Sequence, residues 1–188
     1  LRDPTHVVGA SDYDAMVDRW TREYEYVDIT GGFESRLAVT ATYLSREFRR
    51  AYVAKYCESG SSSADDRARV LRTSLEAGEG EHEFFVALSA QYARWGELDR
   101  SSSVWRVRLV DDQGVEHEPV RIERRRQATG LDRAMFYYWT PWRTVFNLHF
   151  PVENEDHTPV IRPGARHFVL RFAGPYGTTD LRWELARE

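Results

Sequence analysis

The sequence predicts a mainly β protein, a sandwich of packed antiparallel sheets with a pair of helices inserted. Three observations predict it. Seven short segments alternate apolar and polar residues, near 37–43, 83–90, 104–110, 116–124, 143–150, 167–173 and 180–186. Turn signals such as Asp111-Asp112-Gln113-Gly114 and Gly174-Pro175-Tyr176-Gly177 separate several of them. One region, 45–77, instead repeats its apolar residues at helical spacing. About seven short strands in about 150 residues predict an immunoglobulin-like β-sandwich in architecture. The Cys pair of true immunoglobulin domains is missing, because Cys57 is the only cysteine. An eight-stranded barrel is the rival arrangement.

In chain order, residues 1–35 read as an acidic N-terminal arm with one short helix, and residues 36–188 as the sandwich domain. Ser11 or Asp12 can cap the helix, and acids at 12, 14 and 18 complement its positive end. Met16, Trp20 and Tyr24 recur every four residues and form an apolar stripe. The stripe docks either on the domain itself or on another protein, so these three are candidate partner-binding residues. Gly31-Gly32 ends the pattern.

Leu37, Val39, Ala41 and Tyr43 then mark the first strand. Ser45 can cap a helix with Phe48, Tyr52 and Tyr56 on one face. After Gly60 and three serines, Ser63 and Asp66 cap a second helix carrying Ala64, Ala68, Leu71 and Leu75. Gly78 and Gly80 close it. The helices are expected to pack on an outer face of the sandwich through Phe48, Tyr52, Tyr56, Leu71 and Leu75.

Phe84, Val86 and Leu88 share one face of the next strand, and Trp105, Val107 and Leu109 one face of the strand after it. Pro119 marks an edge or a bulge in the returning strand 116–124. Residues 127–142 read as a long connection. Phe146, Leu148 and Phe150 point inward from the following strand. The final hairpin places Phe168, Leu170, Phe172, Leu181, Trp183 and Leu185 on its apolar faces, around a type I turn. Two strands cannot stand alone in water, so a second sheet must cover them.

Charge is uneven. Residues 1–35 hold eight acids and three arginines; the remainder holds 22 acids and 23 bases. An acidic arm on a near-neutral domain argues against a nucleic-acid partner. Lys55 is the only lysine, which reads as genome bias. Arg124-Arg125-Arg126 reads as a solvated strand end, since three charges alone make no patch. No apolar run is long enough to cross a bilayer.

Motifs for chemistry are missing. No His stands at metal-ligand spacing from another His or Cys, so no zinc site is expected. No nucleophile elbow and no phosphate loop occurs. Glu153-Asn154-Glu155-Asp156 clusters oxygen donors but lacks the EF-hand spacing, and reads as a solvated loop. No catalytic residue, metal or cofactor is assigned.

The stretch Met135 to Trp142 is dense in large apolar side chains. It is either a lid over a sheet or an exposed platform for a protein or a sugar. On the second reading Tyr138, Trp139 and Trp142 are the anchors, in a loop stiffened by Pro141. Solvent accessibility distinguishes the two.

SREFRRAYVAKY, HEFFVAL, SSVWRVRLVDDQG, TPWRTVFNLHFP and LRFAGPYGTTDLRWEL together resemble uncharacterised lipoprotein-like domains of Gram-negative bacteria, over about residues 36–185. The resemblance implies export to the periplasm or a membrane surface, with anchoring through a lipidated N-terminal Cys. This sequence has no Cys near residue 1, so an anchor would have been removed or lie upstream. The expected function is a non-enzymatic exported binding or accessory module that docks onto a larger protein assembly. A carbohydrate-binding module using the aromatic loop is one alternative. An enzyme whose site no motif encodes is the other.

Overall fold

The computed structural model describes residues 10–28, 34–58, 63–175 and 177–185. Nine strands among them form two antiparallel sheets that pack as a sandwich. The five-stranded sheet runs β1 (Thr21–Asp28), β2 (Glu34–Tyr43), β3 (Glu81–Ala90), β7 (Thr144–Pro151), β6 (Arg121–Arg125). The four-stranded sheet runs β5 (Glu116–His117), β4 (Arg106–Val110), β8 (His167–Gly174), β9 (Gly177–Glu184). Helices α1 (Ala10–Trp20), α2 (Arg46–Glu58), α3 (Ala64–Ala77) and α4 (Gly130–Met135) complete the described elements, with one 3₁₀ turn at Ala93–Gly96. No described helix is long and apolar enough to cross a membrane.

The core lies between the sheets. Phe84 of β3 meets Phe168 and Trp183 of the opposite sheet at ring-centroid distances of 6.0 and 5.4 Å. Phe168 stacks on its hairpin partner Trp183 at 5.3 Å. Phe146, Leu148, Phe150, Leu170, Phe172 and Leu181 fill the rest, all buried. Each such side chain contributes about 1.5–3 kcal/mol when fully buried. The period-two alternation therefore sets the sheet faces as the sequence implies.

β3 is the exception. Phe85 and Ala87 are as buried as Phe84, Val86 and Leu88. A third layer explains this, because α2 and the aromatic stretch after α4 cover the outer face of the five-stranded sheet. Phe136 stacks on Phe85 at 3.8 Å with an interplanar angle of 13°, and Phe48 of α2 packs on Phe136.

The two-helix insertion forms with the expected caps. Ser45 Oγ accepts from the Phe48 amide, and Ser63 Oγ from the Asp66 amide. Its packing is uneven. Phe48, Ala51, Val53 and Cys57 are buried, whereas Leu71 and Leu75 of α3 are half-buried and Tyr56 is exposed. Tyr56 does not join the packed face as expected.

Three expectations need correction. The described residues before 36, 10–28 and 34–35, belong to the sandwich and are not an arm outside it; the rest of the expected arm lies outside the described residues. β1 pairs with β2 along its whole length, and α1 lies against α2. The expected helical stripe ends at Trp20, and Tyr24 stands on β1. The segment TREYEYVD alternates polar and aromatic residues, a strand signal stronger than the four-residue spacing. The expected single strand 116–124 is two. β5 belongs to one sheet and β6 to the other, and the chain crosses between them at Glu118-Pro119-Val120. Pro119 cannot donate to a ladder, which is why pairing breaks there. Finally, the connection 127–142 contains α4, opened by a reciprocal capping box between Thr129 and Asp132.

Candidate binding groove

The aromatic stretch splits between the core and the solvent. Met135, Phe136 and Tyr138 turn inward; Tyr138 is only 4% exposed. Its hydroxyl shares a hydrogen bond with Thr42 Oγ1 at 2.6 Å, and Thr42 in turn bonds Thr21. Burial raises the Tyr138 hydroxyl well above its usual pKa, so it stays neutral. Tyr137 is 60% exposed and donates to Glu23 at 2.7 Å; burial and that carboxylate push it up to about 12. Trp139 is half-buried beside Phe85. Trp142 is 84% exposed. Tyr138 is thus a structural anchor and not a partner-binding one, which corrects the sequence expectation. Trp139 and Trp142 remain accessible.

The N-terminal residues follow the same logic. Trp20 is 5% exposed, and its carbonyl accepts the Trp183 indole N–H at 2.7 Å. Met16 and Tyr24 are half-buried against the same core. The chain covers its own Met16, Trp20 and Tyr24, so they do not form a free stripe for a partner.

An open groove of about 820 Å³ runs beside Trp142. Arg124, Arg125, Arg126, Arg133 and Arg143 line it, with Trp139, Pro141 and Trp142, and among the described residues no carboxylate does. β6 supplies Arg124 and Arg125 at its end, α4 supplies Arg133, and Arg143 leads into β7. Arg125 sits over the Trp139 ring at 5.5 Å and within 3.5 Å of Asp132. Arg124 pairs loosely with Glu97 at 3.8 Å, and Arg143 donates to Thr40 at 2.6 Å. Arg126 and Arg133 are exposed and make no ion pair among the described residues. The arginine triplet therefore is part of a patch, because the fold brings Arg133 and Arg143 to it. Sequence reading missed this because the five arginines are spread over twenty residues, on β6, on α4 and in the connections beside them. The Thr129-x-x-Asp132 capping signature could have located α4 and hence Arg133.

A second, smaller cavity of about 170 Å³ lies beneath α2, lined by Phe48, Arg49, Tyr52, Glu83, Asp132 and Asn147 among others. Its acids are committed. Glu83 accepts from Arg49 and Asn147, both at 2.7 Å. Asp132 accepts from the Thr129 amide and hydroxyl. His149 lies in the adjoining network, 2.8 Å from Glu81 and 3.2 Å from Arg121. It is buried, although the sequence places it on an outward face. That face is the one covered by the third layer. Glu83 and Asp132 are thus paired, whereas Asn147 Oδ1 and His149 Nε2 are buried without a hydrogen-bond partner among the described residues.

Other sequence features have local roles. In the loop 153–156, Asp156 accepts from Thr158, and Glu153 lies 3.5 Å from His157. Its donors serve the turn itself. No three His, Cys, Asp or Glu side chains among the described residues are placed to hold a metal ion. Cys57 is buried in α2.

No family model, no curated protein and no solved structure matches this chain.

Proposed function

We propose that this chain is a non-enzymatic binding or accessory module that docks onto a larger protein assembly through the Arg–Trp groove. One observation carries the reading: five arginines converge on two accessible tryptophans, with no lining carboxylate among the described residues. Arg and Trp are the side chains that most often dominate protein–protein contacts. Arg126 and Arg133, which make no ion pair among the described residues, favour an acidic partner surface and speed encounter with it. Export is part of the proposal and rests on the lipoprotein-like pattern of residues 36–185; so is the immunoglobulin-like plan of the sandwich.

The test is affinity capture from the native source with the wild-type chain and with the Arg126→Glu/Arg133→Glu variant. Both positions are exposed, so the variant is expected to fold. A partner retained by the wild type and lost by the variant supports the groove. Equal retention overturns it.

A carbohydrate reading draws on Trp142, whose ring is open to stack on a sugar face. It lacks the planar row of aromatics that such a site needs, since Tyr138 is buried and Trp139 half-buried. Quenching of Trp142 fluorescence by a neutral oligosaccharide, unchanged in the double variant, would favour it.

A further inference from the structure

We infer that the partner segment is an extended acidic peptide that adds to the free edge of β6 as a sixth strand of the large sheet. The inference rests on the groove being the docking surface and states how it is used. β6 lies at the end of the sheet order and pairs only with β7. Alternate backbone N–H and C=O groups of an edge strand point away from its one neighbour and remain open to pairing. No described strand meets that side of β6.

The strand also runs directly into the groove. Its sequence Arg121-Ile122-Glu123-Arg124-Arg125 continues into Arg126, so the open edge ends among the groove's guanidinium groups. A peptide lying along the edge would meet backbone donors and acceptors first. Its side chains would then reach Arg124, Arg125 and Arg126, with Arg133 beside them. Side chains of an added strand alternate between the two faces of the sheet. On one face Ile122 already packs against the core, so an apolar residue suits that position. Arg126, just past the end of β6, and Arg133 make no ion pair among the described residues and call for carboxylates, which Arg pairs bidentately. Glu123 disfavours an acid directly opposite it. The fitting segment is therefore polar or apolar near its middle and acidic where it passes the groove.

Charged residues on an edge strand also discourage unspecific pairing. Here the charge is of one sign at one end, which discourages self-pairing and admits an acidic strand. Single-stranded nucleic acid and sulfated glycans carry the complementary charge too, but neither offers backbone groups to a sheet edge. The free edge favours the peptide.

The probe is a fluorescein-labelled peptide of Thr and Val over one half and Glu over the other, measured by anisotropy at low salt. The control peptide is N-methylated at alternate residues, so that its edge toward β6 cannot donate. Binding should weaken about tenfold or more in the N-methylated peptide, and backbone amides of β6 should exchange more slowly with the unmethylated peptide bound. Equal binding of both peptides, without protection of β6, overturns strand addition and leaves the groove as a docking surface. Tighter binding of a single-stranded oligonucleotide or a sulfated glycan than of the peptide overturns the assigned occupant. Failure of all these polyanions to bind, or binding that survives Arg126→Glu/Arg133→Glu, overturns the groove reading as well.

Discussion

A Cβ added to Gly174 would stand 2.6 Å from the Val104 carbonyl oxygen and 2.8 Å from the Trp105 ring. The nearest atom is backbone, so the hairpin must move away from its neighbour. Gly174→Ala is expected to cost about 1–3 kcal/mol, read as a lower urea midpoint with an unchanged slope. An unchanged midpoint would show that the close approach is not required. The two faces of the aromatic stretch differ in the same kind of measurement. Phe136→Ala removes a ring stacked on Phe85 and is expected to cost about 3–5 kcal/mol. Trp142→Ala should change stability by less than about 0.5 kcal/mol. Sequence alone could not divide them: Phe136 and Trp142 stand in one aromatic-rich stretch, interrupted only by Thr140 and Pro141. Only the register of β7 and the position of α4 decide which rings turn inward.

His82 gives a pH dependence. It faces the core near His117, its Nδ1 bonds the Tyr43 hydroxyl at 2.9 Å, and burial, with His117 second, lowers its pKa to about 4. The native state therefore stays neutral while the unfolded chain takes up a proton below about pH 6.5. Stability is full above that pH and falls progressively toward pH 4, by up to about 3 kcal/mol from this group. Replacement by Gln should flatten the slope of unfolding free energy between those limits. An unaltered slope in His82→Gln would assign the acid sensitivity to other groups.

At the level of elements, the first helix and strand are integral. Removing residues up to 28 would uncover β2 and leave the Trp183 indole without its Trp20 acceptor. Thermal unfolding should drop by about 10 °C or more, since several kcal/mol of buried surface goes with Tyr13 and Trp20. A melting temperature within a few degrees of the full chain would return these residues to the role of an arm. α3 stands at the other extreme. Its apolar residues are only half-buried, so its amides should exchange faster than those of β3. Strand alternation and helix caps were legible from single residues such as Leu170 and Ser63, because both signals are local. β1 was obscured by Trp20 and Tyr24, whose spacing fits a helix as well as a helix followed by a strand. The division of 116–124 was half legible: Pro119 showed that pairing breaks, not that the chain changes sheets.

Across the whole molecule, charge and architecture are arranged independently of net composition. The chain carries a net −4, yet the groove beside Trp142 is lined, among the described residues, only by positive charge and neutral side chains. The acidic arm on a near-neutral domain argued against a nucleic-acid partner, and the charge sum concealed the groove because carboxylates elsewhere cancel it. Affinity of the groove for an acidic peptide should therefore weaken as salt rises toward physiological strength, where exposed charges are screened beyond about 8 Å. A salt-insensitive affinity would mean that the groove's guanidinium groups do not sustain the contact.

The crossing at residues 118–120 acts on the molecule as a stitch between two layers of cloth. β5 and β6 are joined by three residues yet hydrogen-bond to opposite sheets. So short a link leaves no slack for one sheet to slide over, or peel from, the other while either stays intact. The layers should therefore melt together, in one calorimetric transition whose measured and van't Hoff enthalpies agree. A break in the backbone at that seam would let the layers part in sequence, and two transitions would take the place of one.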